Sequence, residues 1–442
     1  MNTRPPLENA SSTVALSVQF NDDRKMFSVG LNSGFCIFDT ETCSLLNTRD
    51  FNAGIGIAQM LGSSNILGLV GGGKQPKFAR NKLIIWDESK SQTALEISAL
   101  LPVLSVQLTK SLIVIALQNS VRIYKFTKTP TLLSAFETAS NPWGICAVSS
   151  RQHVAFLGRT KGHVQLLEKT GNVKIIPAHS SAVRAIQFSP DGDLLATASE
   201  MGTLIRVFAT SNCARLVELR RGIDPATIFS LAFSPSGTQL ACTSDKSTLH
   251  IFDVPRPNSS SDNQPTEASV SPTSPGFPPP SGAVAASSSS PSGNTTTSGN
   301  GSANDGRGKW GFLSKVPLLP RMFSDVYSFA STPFEAGEDQ SAGTGGVIIS
   351  GNRTLGTGRP AKGMVAWLKE DTLVVVGGGT DARWEKFVVV REAMDGAGTA
   401  ASQQQGGYGP QEGQQQQQDG VGSGATRRVC VRSGWKKYLG SP

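Results

Sequence analysis

The chain is short of the features that make a membrane span, a secreted scaffold or a metal enzyme. No apolar run approaches the roughly 20 residues that a spanning helix needs, so contact with a bilayer is expected to be peripheral. The six cysteines, Cys36, Cys43, Cys146, Cys213, Cys242 and Cys430, form no close pair of zinc-ligand spacing. Met1 to Thr13 lacks the apolar segment of a secretory leader, and a reduced, cytosolic protein is the expectation. Only four histidines occur, His153, His163, His179 and His250, without metal-ligand spacing, and no serine sits in a G-x-S-x-G elbow. Carboxylates cluster only in turn-like pairs such as Asp22-Asp23 and Asp191-Gly192-Asp193. No enzymatic activity, no metal and no cofactor is expected.

What is plentiful is glycine and proline, 47 and 25 residues, beside 38% hydrophobic residues. That balance fits many short strands joined by turns and diluted by stretches without a core. At 442 residues the length suggests two or three domains, but closed all-β propellers exceed that prior as one unit. The formal charge of +8 suits an anionic partner.

Short segments repeat one pattern, an alternating apolar strand running into a turn: SVQFN at Ser17, SVQLT at Ser105, AIQFSP at Ala185 and SLAFSP at Ser230. A second pattern follows downstream, with Phe38, Trp86, Tyr124, Leu167, Phe208 and Phe252 as its markers, spaced 38 to 48 residues apart. That period matches a four-stranded propeller blade. A seventh unit is read from GMVAWLKE at Gly363, Thr372 to Val376 and Trp384 to Val390, with Phe387 as its marker. The fold class expected is therefore all-β, a seven-bladed propeller of WD40-like type.

The last two blades carry insertions. Residues 255–308 are almost wholly Ser, Pro, Gly, Thr and Asn, too polar to order themselves, and residues 393–425 contain a glutamine run. Blades one to six (first part) are placed at 14–254, the first insertion at 255–308, a loop and the last strand of blade six at 309–330, and blade seven at 331–440. The segment DVYSFA, Asp325 to Ala330, is read as the fourth strand of blade six, and RRVCVRSGWKKY, Arg427 to Tyr438, as the end of blade seven. Closure without exchange of a strand between the termini is expected.

Two motifs carry chemistry on their face. Gly68 to Gln75 has the G-x-x-x-x-G-K spacing of a phosphate-binding loop. Gln75, however, stands where a magnesium-ligating hydroxyl belongs, and Pro76 opposes a helix start, so a strand-to-strand turn is predicted. The second motif is Leu219-Arg220-Arg221-Gly222. Successive side chains on an extended strand point to opposite sides, so the two guanidinium groups cannot serve one pocket. Near one of them blade five offers His179, Thr197, Ser199, Gly202, Thr203 and Arg206; near the other blade six offers Thr243, Ser244, Thr248 and His250. Arginine beside hydroxyls, imidazole and glycine backbone is the chemistry of phosphomonoester recognition.

The arginine pair followed by glycine, the preceding ATAS-x-x-GT-x-IRVF run, TLHIF at Thr248, residues 71–87 and Asn141-Pro142-Trp143 resemble the PROPPINs, β-propellers that bind polyphosphoinositides. The family motif is often Phe-Arg-Arg-Gly, and Leu219 replaces the phenylalanine here. The resemblance implies two headgroup sites for phosphatidylinositol 3-phosphate and phosphatidylinositol 3,5-bisphosphate. Carried over by position, the first uses His179, Thr197, Ser199, Gly202, Thr203, Arg206 and Arg220, and the second uses Arg221, Gly222, Ser244, Thr248 and His250. It also implies a bilayer-inserting loop in blade six, with Trp310, Phe312, Leu313, Val316, Leu318 and Leu319 beside Lys309, Lys315 and Arg321. The protein so described is a peripheral effector on preautophagosomal, endosomal and vacuolar membranes that recruits autophagy-related proteins. The alternative is a protein-only scaffold whose arginines grip an acidic peptide. Nucleic acid is not an expected partner, because the cations are not interleaved with aromatics.

Overall fold

The structure is a computed structural model, and it describes residues 13–256, 326–335, 363–393 and 426–439. Except for Arg256, these belong to one compact unit, Met1–Pro255 with Asp325–Pro442. They form seven sheets in chain order, six of four antiparallel strands and the fifth with a short parallel strand added to its antiparallel four, and there is no helix among the described residues. Each marker from Phe38 to Phe387 lies on the third strand of its blade, and all but Leu167 are buried. In blades one, two, three, five and seven, a register shift against the fourth strand falls directly before the marker. The extra residue bends the outer strand at the same point in each of these five repeats.

Buried apolar side chains gather into seven clusters, each shared by two neighbouring blades. Both faces of every sheet are thus covered, which explains why the inner three strands read as near-continuous apolar runs rather than alternating ones. The ring closes between blades seven and one. Ala15 and Gly379 exchange two main-chain hydrogen bonds, at 3.0 and 2.9 Å. Trp384 Nε1 donates to the Thr40 carbonyl at 2.9 Å, and Tyr438 packs edge-on against Phe27 and Phe38. Blade seven takes all four of its strands from the C-terminal part of the chain, so among the described residues no terminal strand is exchanged.

Gly68 to Gln75 is the end of a strand, Ile66–Gly71, and a turn held against Gly54 by Gly54 N to Gln75 O and Gly72 N to Gly54 O. One strand departs from its expected position. The fourth strand of blade six is Ala330–Pro333 rather than 325–330, and it pairs Thr248 with Pro333 and Ile251 with Ala330. Ala330 and Phe334 supply its buried anchors, and a proline is tolerated because the strand's outer edge needs no amide proton. Val326 and Tyr327, which the apolar alternation had assigned to that strand, instead pair in parallel with Leu219 and Arg220 of blade five. The hairpin of blade seven is also longer than expected, Arg383–Ala393 against Thr426–Lys437. The segments 257–325, 336–362 and 394–425 lie outside the described residues, and so do Lys309, Trp310, Phe312, Leu313, Lys315, Val316, Leu318, Leu319 and Arg321.

Candidate functional site

Arg220 ends the fourth strand of blade five, Arg215–Arg220, and Arg221 follows directly after it. Its register with the third strand sets Arg206 opposite Glu218 and Leu204 opposite Arg220, and the third strand's register with the second sets Thr197 opposite Arg206. Thr197, Arg206 and Glu218 therefore form one row across the sheet, and Arg220 lies on the same face one row nearer the edge. That face looks toward blade four. Arg206 Nη1 donates to the carbonyl of Ala178, in the connection between the two blades, at 2.6 Å.

His179 joins this row from that connection. Its Nε2 lies 2.9 Å from Thr197 Oγ1, and its amide donates to Gly162 O. Burial, then the nearby Arg206 cation, pushes its pKa down to about 4, so the ring is neutral at physiological pH. Arg206 Nε donates to Glu218 Oε2 at 2.6 Å, and Arg215 shares the same oxygen at 3.1 Å. Glu218, which sequence reasoning missed, thus lies inside the first cleft and already holds its cation. Ser199 is buried at the end of the second strand, and Gly202 and Thr203 form the turn into the third. Gly202 has φ of +59°, and a side chain there would meet the Ala226 carbonyl at 1.7 Å, so only glycine fits.

Arg221 turns the other way. Leu219, two residues earlier, packs in the cluster shared with blade six, among Ile228, Leu231, Cys242 and Phe252. Arg221 follows it to that side: on the facing sheet its cation adds to the lowering that burial imposes on His250, and it offsets part of the rise, to about 12, that burial imposes on Cys242. Arg221 as a residue is only 8% exposed, and two main-chain carbonyls hold its guanidinium, Gly202 O at 2.7 Å from Nε and Asp224 O against Nη2. Among the described residues it forms no ion pair with a carboxylate. The adjacent arginines therefore diverge into the two clefts that flank blade five, as alternation requires.

The facing sheet of blade six presents Cys242, Ser244, Thr248 and His250 on one side, since Cys242 is in register with His250 and Thr243 with Leu249. Burial, then the Arg221 cation, pushes the His250 pKa down to about 4. Its Nε2 lies 3.1 Å from Thr248 Oγ1, and its Nδ1 lies 3.2 Å from Ser328 Oγ. Ser328 is a second residue absent from the sequence-based set. Ser244 is fully buried, and its Oγ has no hydrogen-bond partner among the described residues. A buried hydroxyl without a partner costs about 1 to 3 kcal/mol. Gly222 has open space where a side chain would stand, which leaves the mouth of this cleft clear. Ile223, at 73% exposure, and the exposed Val326 and Tyr327 place apolar groups near the arginines in the chain and in register.

Among the described residues no cluster of three or more His, Cys, Asp or Glu side chains could hold a metal. No helix of the described residues is long and apolar enough to cross a membrane.

Comparison with known proteins follows the same line. A model of the PROPPIN family matches residues 15–272. SVP1-like protein 2 of Neurospora crassa is 49% identical over 452 aligned positions, covering 100% of this chain and 99% of that protein. SVP1-like protein 2 of Emericella nidulans is 46% identical, over 86% of this chain and 99% of its own. Among solved structures, Kluyveromyces lactis Hsv2 superposes with a TM-score of 0.63 at 18% identity, over 97% of this chain and 100% of that one. The complex of KlAtg21 with the coiled coil of AgAtg16 gives a TM-score of 0.54 at 18% identity, over 85% and 94%. At such identities the structural likeness speaks for the fold.

Proposed function

Because the chain belongs to the PROPPIN family, the phosphoinositide-binding β-propellers, we propose that it docks on membranes bearing phosphatidylinositol 3-phosphate and phosphatidylinositol 3,5-bisphosphate. One phosphomonoester enters each cleft beside blade five. The first cleft uses His179, Thr197, Ser199, Gly202, Thr203, Arg206 and Arg220; the second uses Arg221, Gly222, Ser244, Thr248 and His250. What carries this reading is the divergence of Arg220 and Arg221 into separate clefts, each lined by hydroxyls and an uncharged imidazole. Two weak headgroup contacts on one rigid ring multiply into avidity. Ile223 and Tyr327 add interfacial contact, and the sequence from Trp310 to Leu319 supplies further apolar side chains for insertion into the bilayer.

Docked in this way, the propeller recruits autophagy-related proteins to preautophagosomal, endosomal and vacuolar membranes. The similarity to a propeller solved with a coiled-coil partner favours a helical partner for this chain as well. The test is vesicle flotation of the full chain with Arg220→Thr and Arg221→Thr combined. Binding to vesicles carrying either lipid is expected to fall at least about a hundredfold, from two charge-assisted contacts at about 1.5 to 3 kcal/mol each. Undiminished flotation rejects the lipid mechanism and leaves the arginines to an acidic peptide.

A further inference from the structure

The four residues that lead into the last strand of blade six run past both clefts, and each has a fixed partner. Val326 and Tyr327 pair with Leu219 and Arg220 on blade five. Ser328 Oγ meets His250 Nδ1 at 3.2 Å, and the amide of Phe329 donates to Ile251 O at 2.9 Å on blade six. Blade seven closes over them, with the guanidinium of Arg428 3.7 Å from the centre of the Phe329 ring and bonded to both carboxylate oxygens of Asp253. Three blades therefore fix the position of Ser328.

His250 stands between two hydroxyls, Ser328 on Nδ1 and Thr248 on Nε2. A neutral imidazole has one donor nitrogen and one acceptor, so the chain of three groups has two orientations. In one, Ser328 donates to Nδ1, Nε2–H donates to Thr248, and the Thr248 proton is left for a third group. In the other, Thr248 donates into the ring and turns only lone pairs outward. A bound anion selects the first, since it needs donors. The environment of His250 keeps the ring neutral, with Arg221 as the nearby cation and burial as the main cause.

We propose that Ser328 is a positioning residue of the cleft between blades five and six: it sets the tautomer of His250 so that Thr248 presents its hydroxyl proton to a bound phosphomonoester. This rests on reading that cleft as a phosphate site. The role is separate from packing, because it acts through the direction of two hydrogen bonds rather than through volume.

The experiment uses the full chain with Arg220→Thr, so that only this cleft is read, and compares Ser328, Ser328→Ala and Ser328→Thr. Calorimetry with inositol 1,3-bisphosphate, and with inorganic phosphate in parallel, gives affinity; ring-nitrogen NMR of His250 gives the tautomer. The Ala variant is expected to bind about fivefold more weakly, the value of one hydrogen bond, with the Thr variant restoring binding. The Nε2–H form is expected to dominate with Ser or Thr and to give way to a mixture with Ala. The same fivefold loss with inorganic phosphate assigns the effect to the phosphate group itself, and a loss confined to the inositol ligand assigns it to the ring-bearing headgroup. Unchanged affinity in Ser328→Ala, or an Nδ1–H ring in the complex, overturns the role of Ser328 while binding still depends on Arg221. If Arg221→Thr leaves binding intact, the cleft is not a phosphate site and both readings fall.

Discussion

The two clefts beside blade five contain the same kinds of side chain and differ in what their cations already hold. Toward blade four, Arg206 is bonded to Glu218 and to the Ala178 carbonyl, and His179 to Thr197. Toward blade six, Arg221 rests on two carbonyls, and the buried Ser244 hydroxyl has nothing to bond among the described residues. An anion entering the first cleft must share a guanidinium with a carboxylate 2.6 Å away, whereas in the second it meets donors with no acid among the described residues attached to them. The lesson is that residue inventory does not rank sites; prior occupancy does. If both clefts take phosphate as proposed, the one between blades five and six is expected to be the stronger anion site and the other to respond to whatever loosens Glu218.

The sharpest way to break this comparison is to remove the arginines singly. Arg221→Thr is expected to cost about 1.5 to 3 kcal/mol of headgroup affinity and Arg220→Thr less, measured by titrating the soluble headgroup. Equal losses, or the reverse order, would show that the internal ion pair does not weaken the first cleft.

A pH series examines what the clefts share. Both histidines have pKa values near 4 in the folded chain, against 6.5 for an ordinary imidazole. The unfolded chain therefore takes up these protons first, and stability is fully present above about pH 6.5 and lost as the pH falls through 4. Chemical denaturation across that window is expected to show a decline of about 1 to 3 kcal/mol per histidine, reduced by the water each ring still meets. His250→Gln should remove part of the slope, and an unaltered slope would mean that the ring is solvated.

The smallest effect concerns the acid. Glu218→Gln keeps a hydrogen-bond acceptor for Arg206 while deleting the charge, and it is expected to raise phosphate affinity of the first cleft a few-fold in an Arg221→Thr background. No gain would place Glu218 outside the path of the anion.

The propeller was legible because its signals are local. A marker on every third strand and a turn after every inner strand recur at blade spacing, and burial on both faces keeps them apolar. The arginine divergence was legible too, since it follows from strand alternation alone. Glu218 was missed because in the run RLVELR it reads as an ordinary outward-facing residue, and only its register opposite Arg206 gives it a role. Ser328 was missed for a different reason: it lies 78 residues beyond His250, across a segment whose composition carries no strand periodicity. The displaced last strand of blade six has the same origin, because alternation in DVYSFA is real but is used by two blades in succession.

That separation has a consequence while the chain is being made. At about 5 to 20 residues per second, the ribosome delivers Ser328 and the strand after it on the order of ten seconds later than His250. Throughout that interval the strand Thr248–Asp253 stands as an open edge with unpaired main-chain groups, the kind of template that recruits foreign strands. The long polar segment in between is then also a delay line.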